Sequence, residues 1–220
     1  MTDITILFED AEALVIDKPA GLPIDTPRKG GPSLGDHLDS LRLGFQRQPV
    51  PVHRLDTDTS GCLLLARNPK ALKRFNKAFE QKLVEKTYLA ILAGQPPGES
   101  GTIELALTKI SSAEKGWRMI PAKKGKPSVS HWELAGQAGD HGVIRFRPET
   151  GRTHQLRVHA ASGLGFPLLG DPVYGAGSSD GATRTMLHAR SIVIPREGKP
   201  SIEATAPLPP DFLAAGVTDG

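Results

Sequence analysis

The sequence contains a single cysteine and no long apolar run, and each shortage excludes a class of protein. Cys62 stands alone among 220 residues, so neither an internal disulfide nor a cysteine-based zinc site is possible. The apolar runs are too short to cross a bilayer, and residues 1–9 lack the basic and apolar parts of a secretory signal. We therefore expect a cytoplasmic protein that makes no membrane contact.

Motifs for nucleotide cofactors and metal-dependent catalysis are also missing. No glycine run resembles a phosphate-binding loop or a GxGxxG turn after a strand. His154 and His159 are five residues apart with no acid between them, unlike the HExxH pattern of zinc enzymes. His53 precedes Cys62, but the three leucines after Cys62 predict a buried, inert thiol. The sequence predicts neither a metal nor a cofactor.

The overall composition is that of one globular domain with a modest attraction to polyanions. Hydrophobic residues make up 38% and charged residues 23%, and we expect a single domain over residues 1–220. The net charge is +3 and the sequence pI is near 9.0. Basic residues gather in AEKGWRMIPAKKGKP, which fits a solvated loop and a phosphate-contacting arm equally well. They are Lys115, Arg118, Lys123, Lys124 and Lys126.

Periodicity and turn residues predict a chain that mixes strands and helices. Strand patterns occur in ITILFED, ALVIDKP, CLLLA, KTYLAIL, TIELALTKI, SVSHWEL, GVIRFRP and SIVIP. Leucines from Ser33 to Leu41 predict a short amphipathic helix, and Asn68 with Pro69 begins a second helix with a basic outer face. Thr153 is expected to cap a third helix, and PDFLAAG predicts a weak terminal helix.

Polar chemistry is concentrated in PVHRLDTDTSGCLLLA, at the start of a predicted buried strand. Asp56 and Asp58 lie two residues apart, and the residues by themselves leave open which carboxylate acts. A strand tyrosine, Tyr88, and the arginine that opens TGRTHQLR, Arg152, complete the set. Singly these fit a turn aspartate, a tyrosine at the core edge and a surface arginine; together they are a more specific combination.

These motifs carry a resemblance to one enzyme family. The matching segments are ILFEDAEALVIDKPAGLPID, PVHRLDTDTSGCLLLARN, FEQKLVEKTYLAILAG, RPETGRTHQLRVH, PLLGDPVYG, LHARSIVIP and APLP, in this order. With HRLD followed by TSG and then GRTHQLRVH, the chain resembles an RluA-type RNA pseudouridine synthase over nearly its whole length. The resemblance implies an α+β fold, with a large mixed, mainly antiparallel sheet, flanking helices and loops, and a central active-site cleft.

The resemblance assigns the catalytic roles. Asp56 ends HRLD and matches the catalytic aspartate, whereas Asp58 falls at a variable position and either accepts a local hydrogen bond or faces water. Arg152 matches the arginine that pairs with this aspartate. Tyr88 matches the tyrosine that stacks on the uracil and moves the proton from C5. No metal and no cofactor are implied.

Further residues are implied as substrate contacts. The apolar residue in LHA packs against the base, and the arginine of HRLD either helps to extrude the uridine or braces its own loop. The basic segment becomes a surface that faces RNA phosphates. The full set of expected substrate contacts is Arg54, Leu187, His53, Thr59, Lys123, Lys124 and Lys126.

The family implies a substrate and partners. We expect isomerisation of specific uridines in ribosomal or transfer RNA by a monomer, with no separate N-terminal RNA-binding domain and no obligate protein partner. A non-catalytic RNA-binding or ribosome-assembly factor on the same fold is the alternative, and an RNA hydrolase or deaminase lacks a metal-ligand set for activating water. One local departure is Phe166, where a histidine is common.

Overall fold

A computed structural model of the protein describes residues 4–112, 114, 116–179 and 181–218. The chain forms two compact units, Met1–Lys86 with Ala189–Pro207, and Thr87–His188 with Leu208–Gly220. The helices are α1 (Pro69–Glu80), α2 (Gln155–Val158) and α3 (Pro210–Ala214). The strands are β1 (Ile6–Glu9), β2 (Ala13–Lys18), β3 (Val50–Pro51), β4 (Ser60–Ala66), β5 (Glu85–Ile91), β6 (Ser100–Ser112), β7 (Gly116–Pro121), β8 (Lys126–Ala138), β9 (His141–Pro148), β10 (Leu187–Arg196) and β11 (Lys199–Thr205).

The sheet of the first unit is built around β4. β2 pairs with β1 and with β4, β3 also pairs with β4, and β11 pairs with β10, all antiparallel. Every residue of β4 is buried, as its apolar composition predicts. Phe75 of α1 lies in one core cluster with Val15, Cys62 and Ile194, and Asn68 caps the helix by accepting the Ala71 N–H at 2.9 Å. This core fixes β4, the strand that begins at Ser60, directly after the segment from Asp56 to Thr59.

The second unit contains the longer strands. β5 pairs with β9, β9 with β8, β8 with β6 and β6 with β7, all antiparallel. Trp132, Ile144 and Phe146 lie in one core cluster with Leu156. In α3, Phe212 is fully buried in a second cluster. The predicted strands in KTYLAIL, TIELALTKI, SVSHWEL and GVIRFRP and the predicted terminal helix are therefore confirmed.

Three local predictions were wrong. The segment Ser33–Leu41 forms two 3₁₀ turns, Leu34–His37 and Ser40–Arg42, because a glycine inside so short a segment disfavours an α-helix. The basic segment is no loop throughout: Gly116–Pro121 pairs with β6 as a strand, while Lys115 lies outside the described residues.

The third concerns Thr153, which does not cap the helix. α2 begins at Gln155 after His154, whose φ of 52° is left-handed.

Candidate active site

Asp56 opens a hydrogen-bonded turn immediately before β4. The Thr59 N–H donates to the Asp56 carbonyl at 3.1 Å, which closes a four-residue turn with aspartate at the position that favours it. Asp56 and Asp58 are both half-buried, and Thr57 between them is exposed. The sequence therefore places the carboxylate of Asp56 on a defined turn rather than on a mobile loop.

The buried side chain of Lys18 anchors this turn through hydrogen bonds to backbone carbonyls. Its side chain is fully buried, and its Nζ donates to the carbonyls of Pro19 and Leu22 at 2.8 Å and of Thr57 at 3.0 Å. The Thr57 carbonyl also accepts the Gly21 N–H at 2.9 Å. Because the fixing bonds reach the backbone of the turn, they set its path without depending on the side chains of the residues it carries.

The strand after the turn leaves no room for variation at Gly61. Thr59 and Ser60 are buried, and Gly61 has φ of 104° and pairs with Lys18. A Cβ at Gly61 would lie 2.2 Å from the carbonyl oxygen of Ala189, which is far inside van der Waals contact. In the TSG motif the glycine therefore lets the backbone of β4 approach the backbone at Ala189 closely. Thr59 is buried at the end of the turn and supports it.

His53 and Arg54 precede the turn in different environments. His53 Nε2 accepts the Leu64 N–H at 3.0 Å, and its ring stacks on Phe79 with centroids 5.0 Å apart. Burial, with the charge of Lys86 as a smaller cause, lowers the pKa of His53 to about 3, so the imidazole is neutral. The Arg54 side chain is 70% exposed and lies 3.9 Å from Asp25, a weak surface pair.

Tyr88 and Leu187 contact the same apolar cluster in the second unit. Tyr88 is half-buried on β5 opposite Phe146, and it packs against the cluster that contains Leu187. Leu187 is only 4% exposed at the start of β10. The structure thus brings the predicted catalytic tyrosine and the predicted substrate contact Leu187 to the same core cluster.

The turn that carries Arg152 is held to β8 by a buried glutamine. Gln155 Oε1 accepts the Arg152 N–H at 3.0 Å and the Thr150 hydroxyl at 2.7 Å. Gln155 Nε2 donates to the Val129 carbonyl at 3.0 Å and to the Ser130 hydroxyl at 2.9 Å. These bonds fix the chain from Thr150 to Gln155, and His154, not Thr153, takes the N-cap position of α2.

The basic residues of the segment between β7 and β8 lie beside Arg152. Lys123 and Lys124 occupy a tight turn, Lys126 begins β8, and all three are exposed. Arg152 Nε donates to the Pro127 carbonyl at 3.2 Å, so the guanidinium lies against the residue after Lys126. The structure thus groups three predicted phosphate contacts with the predicted catalytic arginine.

A buried ion pair links α2 to the loop over residues 171–175. Arg157 donates to both carboxylate oxygens of Asp171 at 2.7 and 2.8 Å, with both side chains buried. The Arg157 guanidinium holds the pKa of Asp171 below its usual range, against the effect of burial. Asp171 also accepts the N–H groups of Val173 and Tyr174, which orders the DPVYG segment around the TGRTHQ turn.

A comparison with known families decides the assignment. The family model described as RNA pseudouridylate synthase matches residues 12–162, a range that includes Asp56, Tyr88 and Arg152. This chain belongs to the RNA pseudouridylate synthase family. The RluA-type resemblance and the α+β pseudouridine synthase fold predicted from the sequence are therefore confirmed.

Relatives of this pseudouridine synthase support the same family. An uncharacterised RNA pseudouridine synthase of Zymomonas mobilis subsp. mobilis is 54% identical over 211 residues, which cover 96% of each chain. Ribosomal large subunit pseudouridine synthase C of Rickettsia bellii is 35% identical, over 94% of this chain and 69% of that protein. The solved structure of human RNA pseudouridylate synthase domain containing 1 has a TM-score of 0.76 and 32% identity, over 94% of this chain and 84% of that chain.

Sequence reasoning missed the residues that support the pseudouridine synthase site. These residues are Lys18, Gln155 and the pair Arg157–Asp171. All lie inside the matching motifs, but no pattern in the sequence predicts which groups they bind. Among the described residues no group of three or more potential metal ligands is found. No helix in the described part of the chain has both the length and the apolar character needed to cross a bilayer.

Proposed function

We propose that the protein isomerises specific uridines to pseudouridine in structured ribosomal or transfer RNA, with Asp56 as the catalytic carboxylate. The observation that supports this most is the hydrogen-bonded turn from Asp56 to Thr59, which lies within the residues that the family model matches. Lys18 binds the backbone of this turn, and the close approach at Gly61 fixes the strand that follows it. A carboxylate that attacks or deprotonates a bound sugar needs such a fixed backbone, because small displacements cost large factors in rate.

The reaction breaks the bond from N1 of uracil to C1′ of the ribose, turns the base, and forms the bond from C5 to C1′. C5 loses its hydrogen to solvent and N1 gains one, so the composition is unchanged and no co-reactant is needed. Asp56 acts in its ionised form, as nucleophile at C1′ or as base toward the 2′ hydrogen, and Arg152 is proposed as the cation that favours that form. Tyr88 stacks on the uracil and moves the C5 proton, and Leu187 packs against the base.

The same proposal assigns the RNA contacts. A stacked uridine must be flipped at a cost of a few kcal/mol, which phosphate contacts have to offset. Lys123, Lys124 and Lys126 are exposed next to Arg152 and suit this role. The exposed Arg54 is proposed to fill the gap that the flipped base leaves, with His53 and Thr59 supporting it.

We further propose that the enzyme acts as a monomer in the cytoplasm, without cofactor, metal or obligate protein partner. A substrate in ribosomal or transfer RNA supports that location, and the Rickettsia bellii relative is named for the large ribosomal subunit. Light scattering coupled to size exclusion tests the oligomeric state.

Two isosteric variants test the catalytic assignment. Asp56→Asn should abolish tritium release from C5-labelled uridine in RNA and leave RNA affinity within roughly tenfold, since one carboxylate performs the chemistry and many phosphate contacts perform binding. Asp58→Asn lies in the same turn and should cost far less. If Asp58→Asn were the inactive variant, the assignment would be wrong; if the wild-type protein bound RNA without releasing tritium, the non-catalytic alternative would replace it.

A further inference from the structure

We propose that Trp117 is a stacking platform for an unpaired RNA base that neighbours the target uridine. The inference deepens the proposed function and rests on it for the position of the target. The chemical class of the ligand is a single-stranded nucleobase whose own phosphate is within reach of a lysine. The supporting observations are the exposure of the indole, the contacts that hold it, and its place beside the turn of Arg152.

The side chain of Trp117 is exposed to solvent, which is unusual for a tryptophan. The chain has two tryptophans; Trp132 is 7% exposed in the core, whereas Trp117 is 45% exposed on β7. β7 lies at the end of the strand order and pairs with β6 alone in that order. The exposed part of the indole is therefore a flat aromatic surface at the edge of the sheet.

The indole is held in place from the protein side. The His154 ring lies 4.7 Å from the Trp117 ring, and His154 Nδ1 is 3.0 Å from the Tyr174 hydroxyl. The Tyr174 hydroxyl accepts the Met119 N–H at 3.0 Å, which joins β7 to the same pair of rings. A platform fixed before the ligand arrives loses little side-chain freedom on binding.

A cation already lies over the ring. Lys109 Nζ is 4.9 Å from the Trp117 ring centroid, and the antiparallel register puts Lys109 and Trp117 diagonally on one face of the β6–β7 hairpin. The ammonium lies on an exposed, flexible stem, so an arriving phosphate attracts it away from the indole while the base takes its place. One pair of residues thereby offers both halves of a nucleotide site.

The platform lies close to the proposed catalytic arginine. His154, which contacts Trp117, follows Arg152 by two residues, a backbone span of at most about 7 Å. One nucleotide of an extended strand covers a similar distance, so a base on Trp117 belongs next to the uridine in the site. Arg152 Nε also contacts the Pro127 carbonyl, so the exposed Lys123 and Lys124, which precede Pro127 in the chain, are available for the phosphates of the same strand.

A matched pair of variants tests the platform. Trp117→Phe keeps a flat ring and Trp117→Leu keeps only apolar bulk, while Leu213→Ala removes another exposed apolar side chain of the same unit as a control. On a stem-loop substrate at fixed salt, the leucine variant should bind roughly 5- to 150-fold more weakly, and the phenylalanine and control variants should stay near wild type. Single-turnover rates at saturating enzyme should change little.

Two further measurements separate stacking from bracing. In the first, each substrate carries one abasic site at a different nucleotide beside the uridine. For one of these positions, Trp117→Leu should no longer weaken RNA binding, because the base that stacks on Trp117 is missing. Acrylamide quenches mainly the exposed Trp117, because Trp132 is buried. Quenching of the wild-type fluorescence by acrylamide should therefore fall when RNA binds. An equal penalty on every abasic substrate, or unchanged quenching, would overturn the platform. Tritium release by the wild-type enzyme is a separate readout and tests the proposed function alone.

Discussion

Replacing Lys18 by methionine should destabilise the first unit more than any surface change. The substitution keeps the apolar stem and removes the ammonium that donates to the carbonyls of Pro19, Leu22 and Thr57. The Thr57 carbonyl retains the Gly21 N–H, but the other two lose that donor. A hydrogen bond from a charged group contributes about 1.5–3 kcal/mol, and the desolvation of the ammonium offsets part of the sum, so we expect a net loss of about 3–5 kcal/mol.

Lys86→Met is the matched control. Lys86 belongs to the same unit, is half-buried, and lies 5.9 Å from the Phe79 ring centroid, while burial lowers its pKa. Its loss should cost no more than about 1 kcal/mol. Urea unfolding followed by circular dichroism gives both values, and amide exchange at Gly21 reports the turn itself. If the two variants differed by less than about 1 kcal/mol, the account of the Asp56 turn would fail.

Three other outcomes are expected. Changing Lys123, Lys124 and Lys126 together to alanine should flatten the slope of log K against log salt by about one unit per lost phosphate contact, and an unchanged slope would mean a solvated turn. Arg54→Lys should slow single-turnover modification of a stem-loop far more than of a flexible strand; equal losses would favour a bracing role. Burial lowers the pKa of His159 to about 4. Between pH 6.5 and 4 the unfolded chain therefore takes up a proton that the native state excludes, so the stability of the protein should fall as pH falls through that window. The fall should be smaller in the His159→Gln variant.

The elements that the sequence predicts well are those whose signals are local. Asn68, Pro69 and an apolar stripe are enough to define α1, and the burial of Cys62 follows from the leucines behind it. Burial raises the pKa of the Cys62 thiol to about 12, in keeping with an inert group. The strand β7 was missed because Gly116, Pro121 and the basic residues around them suggest a loop, whereas its pairing is decided by β6, a partner strand elsewhere in the chain.

For the candidate site, the sequence predicts Asp56 and Arg152 because each stands in a contiguous motif, HRLD and GRTHQLR. Lys18 was overlooked since a fully buried lysine is rare and its decisive contact is 39 residues away, at Thr57. Gln155 was overlooked because a glutamine next to a predicted cap has no pattern of its own, and its function follows only from the position of β8.

The turn that carries Asp56 offers a place for a spectroscopic label. Thr57 contributes its carbonyl to the hydrogen bonds that shape the turn, and its residue is exposed. A side chain at this position is therefore replaceable without touching the bonds that hold Asp56. Because the native thiol of Cys62 is buried and has a pKa of about 12, a Thr57→Cys variant would react with a maleimide dye at one site. Such a dye would sit one residue from the carboxylate and report RNA arrival in real time.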